Sequence, residues 1–503
     1  MRRFIPGFPV CLLTIAIPLA AETLLVPEDF TSIQQAILAS SDGDTVLVSA
    51  GTYLENIHFL GKAITLHSAD GPSSTVIDGS SPLIRGMAST VRFVLGEGPD
   101  TVLEGFTITG GAGCNLYGPY NSYTCGGGIC CYLSAPTLRN CRIIGNSADY
   151  GGGCCFLLPA KGSSEEPALL EGCLFEGNHA VRNAGGLMME GNHNLTVSTI
   201  VRNCIIAGNT GEDLNGGAYL YRIHAPEVRN CIVSDNTCGL VCGGMEMNAC
   251  SLSVVDNCVF TANSSPQRCV GLCLRYCGAM TVANSTLWDN DSLGYDYELY
   301  LQNTTALLGY CDLEGGQAGV LSQGSGGCVW GEGNLDLDPQ FEQGPLSDCQ
   351  LAPTSPCIDA GDPAPDHGDP EDPSLPGMAQ WPALGTVRCD MGAFGGNGAA
   401  WWEGATGIVG SGRSLQPCLA VNCLPNPAGG TVVIRIEDGF VTGDRILVLD
   451  LTGRIRIDLP AGPVATGAEG AQINLGDLSS GLYVVVLVRE GTAAAATRVT
   501  VLD

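Results

Sequence analysis

The stretch VRNCIIAGN, residues 201–209, is one copy of a phrase that this chain repeats about every 27 to 32 residues. A period in that range indicates a stacked repeat rather than an ordinary globular core. Each copy has a cysteine in fourth place, replaced by Ser285 in the last one, and an asparagine in ninth place. The copies are LRNCRIIGN at 138–146, LEGCLFEGN at 170–178, VRNCIIAGN at 201–209, VRNCIVSDN at 228–236, VDNCVFTAN at 255–263 and VANSTLWDN at 282–290.

Side-chain alternation assigns the faces of this strand. In VDNCVFTAN, Cys258 and Phe260 fall on one face at strand period, so we expect both to point into the core. Asn257 and Asn263 lie at the bends on either side, where asparagine tolerates left-handed backbone. We expect a ladder of hydrogen-bonded asparagines along the stack, formed by Asn203, Asn230, Asn257 and Asn284.

A second strand follows each group of glycines, as in GGLMMEG at 185–191. Alternation places Leu187 and Met189 in the core and predicts that the residues between them line the outer surface of one sheet. Those outward residues are Cys130, Tyr132, Cys155, Leu157, Met188, Glu190, Tyr219, Tyr221, Glu246, Asn248, Cys273 and Arg275.

The N-terminal part predicts a cap on the stack. Phe30, Ile33, Ala36 and Ile37 recur at helical spacing, with Asp29 or Thr31 as helix N-cap, and such a helix would cover the first coil. With AGTYLENI at 50–57 and AITLHSADGPSSTVIDG at 63–79, this region resembles secreted right-handed parallel β-helix proteins of the pectin-lyase-like superfamily. The resemblance implies an all-β fold: a cap and first coil over 22–62, then a β-helix over 63–330. We expect about nine to eleven coils, spaced by about 4.8 Å.

The region after the repeats predicts a closing segment, a linker and a separate domain. Residues 331–400 are rich in Pro, Gly and Asp, which favours ordered loops packed on the last coil. Their phrases GNLDLDPQF at 333–341 and DMGAFGG at 390–396 resemble the segment that closes such β-helices in exported bacterial proteins. After a linker at 401–416, residues 417–503 alternate as a small β-sandwich. Its phrases LPNPAGG, VLDLTGR and LSSGLYVVVL resemble the C-terminal sorting domain of the type IX secretion system, which implies the export machinery as a partner.

The chain begins with Arg2 and Arg3, an apolar run over 8–19 and the small residues Ala20 and Ala21. This pattern predicts a secretory signal peptide over residues 1–21, with a membrane anchor as the alternative. We therefore expect a secreted or outer-surface protein of a bacterium, with no membrane-spanning segment in the mature chain. The formal charge of −29 argues against a nucleic acid partner.

The 25 cysteines allow two interpretations. Export permits disulfides, but a cysteine that recurs at one place in every coil behaves as a small buried hydrophobe, so we favour stacked thiols for the repeat. Cys130 and Cys155 are different, because they fall at equivalent outward positions in neighbouring coils. At a strand spacing of about 4.8 Å their Cα atoms lie within disulfide range, and we predict a bridge between them.

The outward face offers a candidate carbohydrate site. Tyr132, Tyr219, Tyr221 and Arg275 are the candidate ligand-binding residues, because tyrosines and charged groups on a flat sheet suit sugar rings. Glu190 and Glu246 are candidate acid and base for glycoside cleavage. Two coils and different outward positions separate these two glutamates, which exceeds the inverting range of about 6.5 to 9.5 Å.

Two familiar enzyme patterns are absent from the sequence. The superfamily's lyases need calcium-binding carboxylates beside an arginine, and the predicted neighbours of Arg275, Asn248 and Cys273, are not carboxylates. The NTD, GHG and RIK motifs of polygalacturonase-type hydrolases do not occur. Whether the chain is an enzyme is therefore uncertain, and the sequence leans against it.

The five aspartates between residues 359 and 372, together with Asp390, crowd one loop region of the closing segment and could form a hard-cation site, with Ca²⁺ as the possible cofactor. Their spacing is not that of the EF-hand loop, and prolines between them also indicate simple turns. The candidate ligands are Asp359, Asp362, Asp366, Asp369 and Asp372.

These observations favour an exported β-helix that binds polysaccharide or mediates adhesion to a cell-surface glycan. A divergent polysaccharide lyase or glycoside hydrolase acting on the outer sheet face is the alternative. A passive surface spacer is the third possibility.

Overall fold

The structure is a computed structural model of the 503-residue chain. It describes residues 21–84, 86–116, 123–159, 167–191, 198–266, 271–292, 297–344 and 347–402, together with strands of the C-terminal region. The predicted signal peptide up to residue 20, and the predicted linker from residue 403 onward, lie outside the described residues.

One coil of the molecule passes through four short strands that belong to four different sheets. In a central coil these are Ala168–Glu171, Leu174–Glu176, His179–Asn183 and Leu187–Glu190. The next coil begins at Thr199–Arg202, which pairs in parallel with Ala168–Glu171. Repetition of this path makes a parallel β-helix. The second and fourth sheets each contain ten strands, which agrees with the predicted coil number.

The four sheets are named here in the order in which a coil meets them. The first sheet contains Thr23–Val26, Thr45–Val48, Thr65–Ser68, Val102–Glu104, Thr137–Arg139, Ala168–Glu171, Thr199–Arg202, Glu227–Arg229, Val254–Asp256, Ala279–Ala283, Thr305–Gly309 and Gly327–Trp330. The second contains Gly51–Tyr53, Thr75–Asp78, Thr107–Thr109, Arg142–Ile144, Leu174–Glu176, Ile205–Ala207, Ile232–Ser234, Val259–Thr261, Thr286–Trp288 and Asp312–Leu313. The third contains Met87–Ala88, Gly113–Asn115, Thr124–Cys125, Ser147–Tyr150, His179–Asn183, Thr210–Gly211, Thr237–Cys238, Ser264–Ser265 and Asp291–Ser292. The fourth contains Ile57–His58, Val91–Phe93, Ile129–Tyr132, Cys154–Leu157, Leu187–Glu190, Ala218–Tyr221, Met245–Asn248, Leu272–Arg275, Leu299–Gln302 and Val320–Gln323.

The repeat cysteines point into the rod. Cys258 and Phe260 are fully buried in its continuous apolar core, as alternation predicts. The repeat cysteines contribute to this core as free thiols. Burial raises the pKa of the Cys141 thiol well above its ordinary value, so the neutral form predominates and packs as a small apolar group.

A helix over Ile33–Ala39 covers the first coil and buries Ile33, Ala36 and Ile37. The predicted N-caps were wrong, because Ser32 caps the helix and accepts a hydrogen bond from the Gln35 amide. The Glu55 carboxylate accepts two more, from the amides of Ile33 and Gln34 at 2.9 Å each. A residue of the first coil thus satisfies the helix terminus.

A ladder of asparagine side chains runs along the rod, but it is not the predicted one. The ninth residue of each repeat is buried, and its Nδ2 donates to Oδ1 of the equivalent asparagine one coil further on, at 2.8–3.1 Å. At its C-terminal end the Glu298 carboxylate replaces the next asparagine and accepts from the Nδ2 of Asn290. The ladder residues are Asn146, Asn178, Asn209, Asn236, Asn263 and Asn290.

The asparagines predicted to form the ladder instead hold the closing segment. Each has positive φ at the bend between the first and second sheets, and the side-chain amide of each bonds to the closing segment. Asn203 donates to the Gly398 carbonyl at 3.0 Å, Asn230 to Gly395 at 2.7 Å and Asn257 to Asp390 at 3.0 Å. In the coil after these, the Asp362 amide donates to Asn284 Oδ1 at 2.8 Å. The left-handed bend was predicted correctly, but its side chains point outward and so cannot reach one another.

The closing segment continues past the last coil and returns along the second sheet. Its short strands Phe341–Glu342 and Gln350–Leu351 pair with each other. Phe394 and Trp402 then pack on the outward residues Leu174, Ile205, Ile232 and Val259. The prediction that this segment packs only on the last coil is therefore incomplete, because apolar outward residues of the second sheet need a cover over several coils.

The C-terminal region is all β in its described residues, with antiparallel pairing throughout. One sheet contains Val421–Leu424, Thr431–Ile436 and Ala471–Asn474. The other contains Arg445–Asp450, Ile455–Pro460, Gly481–Arg489 and Thr492–Val501. Among the described residues, no helix is long and apolar enough to span a membrane.

Candidate functional site

The outward residues of the fourth sheet form two parallel rows along the rod. Register pairing sets both rows, because each residue lies beside its equivalent in the next coil. The first row contains Cys130, Cys155, Met188, Tyr219, Glu246, Cys273 and Tyr300. The second row contains Tyr132, Leu157, Glu190, Tyr221, Asn248, Arg275 and Gln302.

The first row points away from the core but most of it is buried, which the sequence did not predict. The third sheet joins the fourth at a bend, and its residues fold over the first row. Cys130, Cys155 and Met188 form an apolar cluster with Cys125 and Ala184. Further along, Cys273 packs against Cys242. Alternation gives the direction of a side chain, but a neighbouring sheet decides its exposure.

The glycine pairs at this bend allow the close stacking. A Cβ on Gly186 would lie 2.7 Å from the Gly217 carbonyl oxygen and 3.0 Å from Nδ2 of Asn209. Only a residue without a side chain fits between the next coil and the asparagine ladder. The repeated glycine pairs thus place both rows with the same geometry in each coil.

A network of polar groups joins the two rows. Arg275 Nη1 donates to Glu246 Oε1 at 3.1 Å, and Arg275 Nε donates to Gln302 Oε1 at 2.8 Å. Asn248 Nδ2 donates to the same Glu246 oxygen at 2.9 Å. The Glu246 side chain is 3% exposed and that of Arg275 is 28% exposed. A buried carboxylate thus fixes the half-exposed guanidinium in one orientation.

The two central tyrosines stack on each other. The ring centroids of Tyr219 and Tyr221 are 5.7 Å apart at an interplanar angle of 16°, and the Arg222 guanidinium lies 4.5 Å from the Tyr221 centroid. Burial, with the nearby Glu246 charge, raises the pKa of Tyr219, so its hydroxyl stays neutral. These contacts occupy ring faces that a sugar would need. The tyrosines therefore offer edges and hydroxyls rather than an open stacking platform.

The candidate catalytic glutamates lie on opposite sides of this tyrosine pair. Glu190 is in register with Tyr221 on the second row, whereas Glu246 is in register with Tyr219 on the first. Two strand spacings and a two-residue offset put their Cα atoms about 11–12 Å apart. Arg275 and Asn248 also donate hydrogen bonds to the Glu246 carboxylate and hold it in place. The strand that carries Tyr219 and Tyr221 lies between the strands of the two glutamates.

The candidate ligand-binding residues fall on the expected face. Tyr132, Tyr221 and Arg275 lie on the second row and Tyr219 on the first, with Tyr132 three strands away from Tyr221. The sequence interpretation missed Tyr300, Gln302 and Gln323, although Tyr300 Oη donates to Gln323 Oε1 at 2.9 Å. Following the alternation into LYLQ at 299–302 and VLSQ at 320–323 would have found them.

Four of the five candidate metal ligands use their carboxylates as hydrogen-bond acceptors within the closing segment. Asp359 accepts hydrogen bonds from the amide and hydroxyl of Thr386, and Asp369 accepts from the amides of Asp390 and Gly396. Asp362 accepts from the Ala364 amide, Asp372 accepts from Ser374, and the Asp366 carbonyl accepts from Asn397. Over the described ranges, no group of three or more His, Cys, Asp or Glu side chains is arranged to hold a metal ion. Asp359 and Asp369 thus join distant parts of the closing segment, and Asp362 and Asp372 accept hydrogen bonds in local turns.

The predicted disulfide partners are in register. Cys130 lies directly opposite Cys155 on the neighbouring parallel strand. Both are free thiols in the structure, and both are fully buried. The bridge between them stays a prediction.

Comparison with known proteins supports the fold. A family described as right handed beta helix region matches residues 127–304, which cover the repeats and most of the two rows. The β-helix is right-handed, as expected. No curated protein matches the chain.

Two solved structures match parts of this chain at low identity. The N-terminal fragment of bacteriophage phi29 gene product 12 is 12% identical with a TM-score of 0.27, covering 60% of this chain and 63% of that fragment. Pectin methylesterase from carrot is 10% identical with a TM-score of 0.23, covering 63% of this chain and 88% of that one. The chain thus spans less than two thirds of the phage fragment. Neither likeness carries an argument about function.

Proposed function

We propose that this chain binds an extended, neutral polysaccharide along the second row. The supporting observation is a line of polar side chains that project from successive strands of one sheet. These residues are Glu190, Tyr221, Asn248, Arg275 and Gln302.

The spacing of this line suits a linear ligand with many hydroxyl groups. Five in-register residues span about 19 Å at a strand spacing of about 4.8 Å. The line contains one carboxylate, one phenol, two amides and one guanidinium, so it offers both hydrogen-bond donors and acceptors. Hydrogen bonds already hold Arg275 and Asn248 in place, which reduces the entropy lost when a ligand binds.

The charge of the chain favours a neutral ligand. At −29, the molecule repels acidic polysaccharides at long range. The positive charge of Arg275 is balanced by Glu246 of the first row, while Glu190 adds a negative charge to the second row. No excess of positive charge along the row would attract a polyanion.

Affinity electrophoresis tests this proposal. The full chain is run through gels that contain a neutral β-glucan, mannan or xylan, or an acidic pectate or alginate. We expect a neutral polysaccharide to retard migration, and Tyr221→Ala and Asn248→Ala to weaken that retardation several-fold. Leu307→Ala, at an exposed position on the first sheet, is the control and should migrate like the unaltered chain. Equal retardation of all variants, or none with any polysaccharide, would contradict the proposal.

Incubating the full chain in solution with the same polysaccharides distinguishes binding from cleavage. New reducing ends, or absorbance from an unsaturated product, would indicate the alternative of a divergent glycoside hydrolase or lyase. Replacement of Glu190 or Glu246 by Gln would then locate the chemistry. A response in neither assay would favour a passive spacer.

We also propose that the protein works outside the cell. The residues that support this are the basic and apolar N-terminal pattern over 1–21 and the sorting-type phrases of 417–503. Expression in a bacterium that has a type IX secretion system, followed by cell fractionation and mass spectrometry of the termini, tests it. Export should remove the N-terminal segment. Retention of the intact chain in the cytoplasm would contradict it.

A further inference from the structure

The outward residues of the first sheet include a row of alternating charge, called here the charged row. It contains Glu104, Arg139, Glu171 and Arg202, which follow one another in register on four neighbouring parallel strands. The side chains of Glu104, Arg139 and Arg202 are 27%, 40% and 44% exposed, so they are accessible to a partner. The four formal charges cancel, so the row carries no net charge although the whole chain carries −29.

Ion pairs within the chain give the charged row a direction. The Glu171 carboxylate accepts from Arg139 Nε at 3.2 Å and lies 2.6 Å from Arg202 Nη2. Two guanidinium groups thus share one carboxylate, and positive charge is in excess at that end. Glu104, at the other end, pairs less closely, at 3.8 Å from His67. The row is therefore negative at its Glu104 end and positive at its Arg202 end.

An apolar row runs beside the charged row and faces the same way, because it lies two residues earlier on each strand. Val102, Leu169 and Ile200 are its apolar members, and all three are half-buried. Thr137 lies between Val102 and Leu169, and its hydroxyl donates to the Pro99 carbonyl at 2.8 Å. The Thr137 hydroxyl is therefore satisfied, and the row can lose its water without leaving that donor unpaired.

Two copies of the chain can bring these rows together in one orientation. A twofold axis along the rod would place the apolar row of one copy on the charged row of the other. A twofold axis parallel to the strands keeps each row facing its own equivalent and reverses its direction. Because the charged row is negative at one end and positive at the other, this reversal pairs opposite charges.

We propose that this face is a self-association surface, on which a second copy of the chain packs antiparallel with the twofold axis between Arg139 and Glu171. Arg139 then faces Glu171 of the second copy, and Glu104 faces Arg202 of the second copy. Symmetry repeats both contacts, so four pairs of opposite charge meet across the surface.

The alternation of charge fixes the register of the two copies. Moving the axis by half a strand spacing, onto Arg139 or onto Glu171, places like charges opposite each other. In the proposed register, Val102 of the apolar row also faces Ile200 of the second copy. Glu104 lies about 7 Å from the axis, so its contact survives the usual sheet crossing angle of about 30°.

The continuation of the charged row does not oppose this packing. After Arg202 the next residue in register is Arg229, which faces His67 of the second copy. Arg229 already pairs with Glu227 and Asp256 of its own chain, so its charge is balanced before the copies meet. The fourth sheet takes no part in this contact, and the proposal does not depend on polysaccharide binding.

Sedimentation velocity of the full chain tests the surface. We expect a species of twice the 52.0 kDa of one chain at micromolar concentration. Glu104→Arg and Arg202→Glu each place like charges across the axis, and each should weaken the dimer by more than about tenfold. Glu212→Arg is the control, because it makes the same charge change as Glu104→Arg at an exposed position beside the third sheet, and it should dimerise like the unaltered chain. A monomer at every concentration, or equal dimerisation of all variants, would overturn the proposal.

Mixing the two single variants gives an independent result. In a heterodimer, the new arginine of Glu104→Arg faces the new glutamate of Arg202→Glu, and the native pair is kept at the symmetric position. Positions 104 and 202 lie three strands apart in one chain, so the two changes cannot compensate each other within a chain. We expect the equimolar mixture, and the double variant, to dimerise although neither single variant does. Circular dichroism checks that each variant is folded, and a folded mixture that stays monomeric would overturn the proposal.

Discussion

The Arg275 guanidinium lies 3.1 Å from the carboxylate of Glu246, a residue that points out of the rod and is nevertheless buried. The two are diagonal neighbours, because Arg275 is in register with Asn248 and Glu246 with Cys273. The pair joins the two rows, so each charge depends on the other for its position.

Removing the arginine should destabilise the protein. Arg275→Ala leaves a buried carboxylate without its counter-charge, which we expect to cost about 3 kcal/mol. Replacing both residues by methionine should recover most of that loss. Thermal unfolding measures both, with Arg139→Ala as control. Arg139 is more exposed, and its partner Glu171 keeps Arg202, so the control should lose less than about 1 kcal/mol. Equal losses in Arg275→Ala and the control would contradict the pairing argument.

Stability should depend on pH through Glu298. Burial raises its pKa from an ordinary 4.5 to about 7, so the folded state holds the proton more tightly than the unfolded state. The resulting stabilisation, about 3 kcal/mol, is fully present below about pH 4.5 and is lost as the pH rises through 7. Glu298→Gln keeps an oxygen that can accept from Asn290 but does not titrate.

Melting curves between pH 5 and 8 test this expectation. The melting temperature of the unaltered chain should fall across the range, and that of Glu298→Gln should fall less. Burial also raises the pKa of Asp369 to about 7 and of Asp312 to about 6, so part of the dependence should remain in the variant. Parallel curves for the two proteins would show that Glu298 titrates elsewhere.

The closing segment should loosen when its asparagine contacts are lost. Asn230→Gly preserves the left-handed bend, whose φ is 49°, but leaves two carbonyls of the segment without a donor. We expect a cost of about 2 kcal/mol and faster hydrogen exchange over residues 389–402. Asn140→Gly is the matched control, because Asn140 has the same φ and its amide donates to Glu104 of the rod. Equal exchange in both variants would mean that these bonds do not hold the segment.

Gly172 and Gly177 offer a matched pair of substitutions. A Cβ on Gly172 would lie 1.9 Å from Cζ2 of Trp401, while one on Gly177 would meet nothing within 4 Å. Both have positive φ, so both alanine variants pay about 1 kcal/mol for the backbone. Gly172→Ala should lose a further 1–3 kcal/mol, roughly, and displace Trp401. Tryptophan fluorescence measures the displacement, and identical spectra for the two variants would place Trp401 elsewhere.

The sequence predicted the faces of the strands well, because side-chain direction is a local property. The period of the repeated nine-residue phrase predicted one coil per copy. Side-chain alternation correctly predicted that Cys258 points into the rod and that Glu246 points out of it. Gly172 occupies the position that an asparagine holds in other copies of the bend. The sequence shows this exception, and its reason is that a Cβ there would clash with Trp401.

Which of the outward-pointing side chains are buried could not be predicted in the same way. Glu246 is buried although it points out of the rod, and Val259 is buried by Ala393, Phe394 and Trp402, more than a hundred positions later. Asn257 and Asn263 both lie at bends of similar composition, so the sequence does not show which of them forms the ladder. The prediction assigned the ladder to Asn257 and was wrong. Only the three-dimensional path shows that one amide points into the stack and the other toward the closing segment.

The return of the closing segment along the second sheet changes how the rod can come apart. In a stacked array each coil touches only its neighbours, so the terminal coils could fray one at a time. Here the segment contacts successive coils from Asn284 back to Gly172. A coil beneath it cannot unravel until the segment has lifted, and lifting it exposes several coils together. The closing segment therefore holds these coils together, and the C-terminal half of the rod should unfold as one cooperative unit.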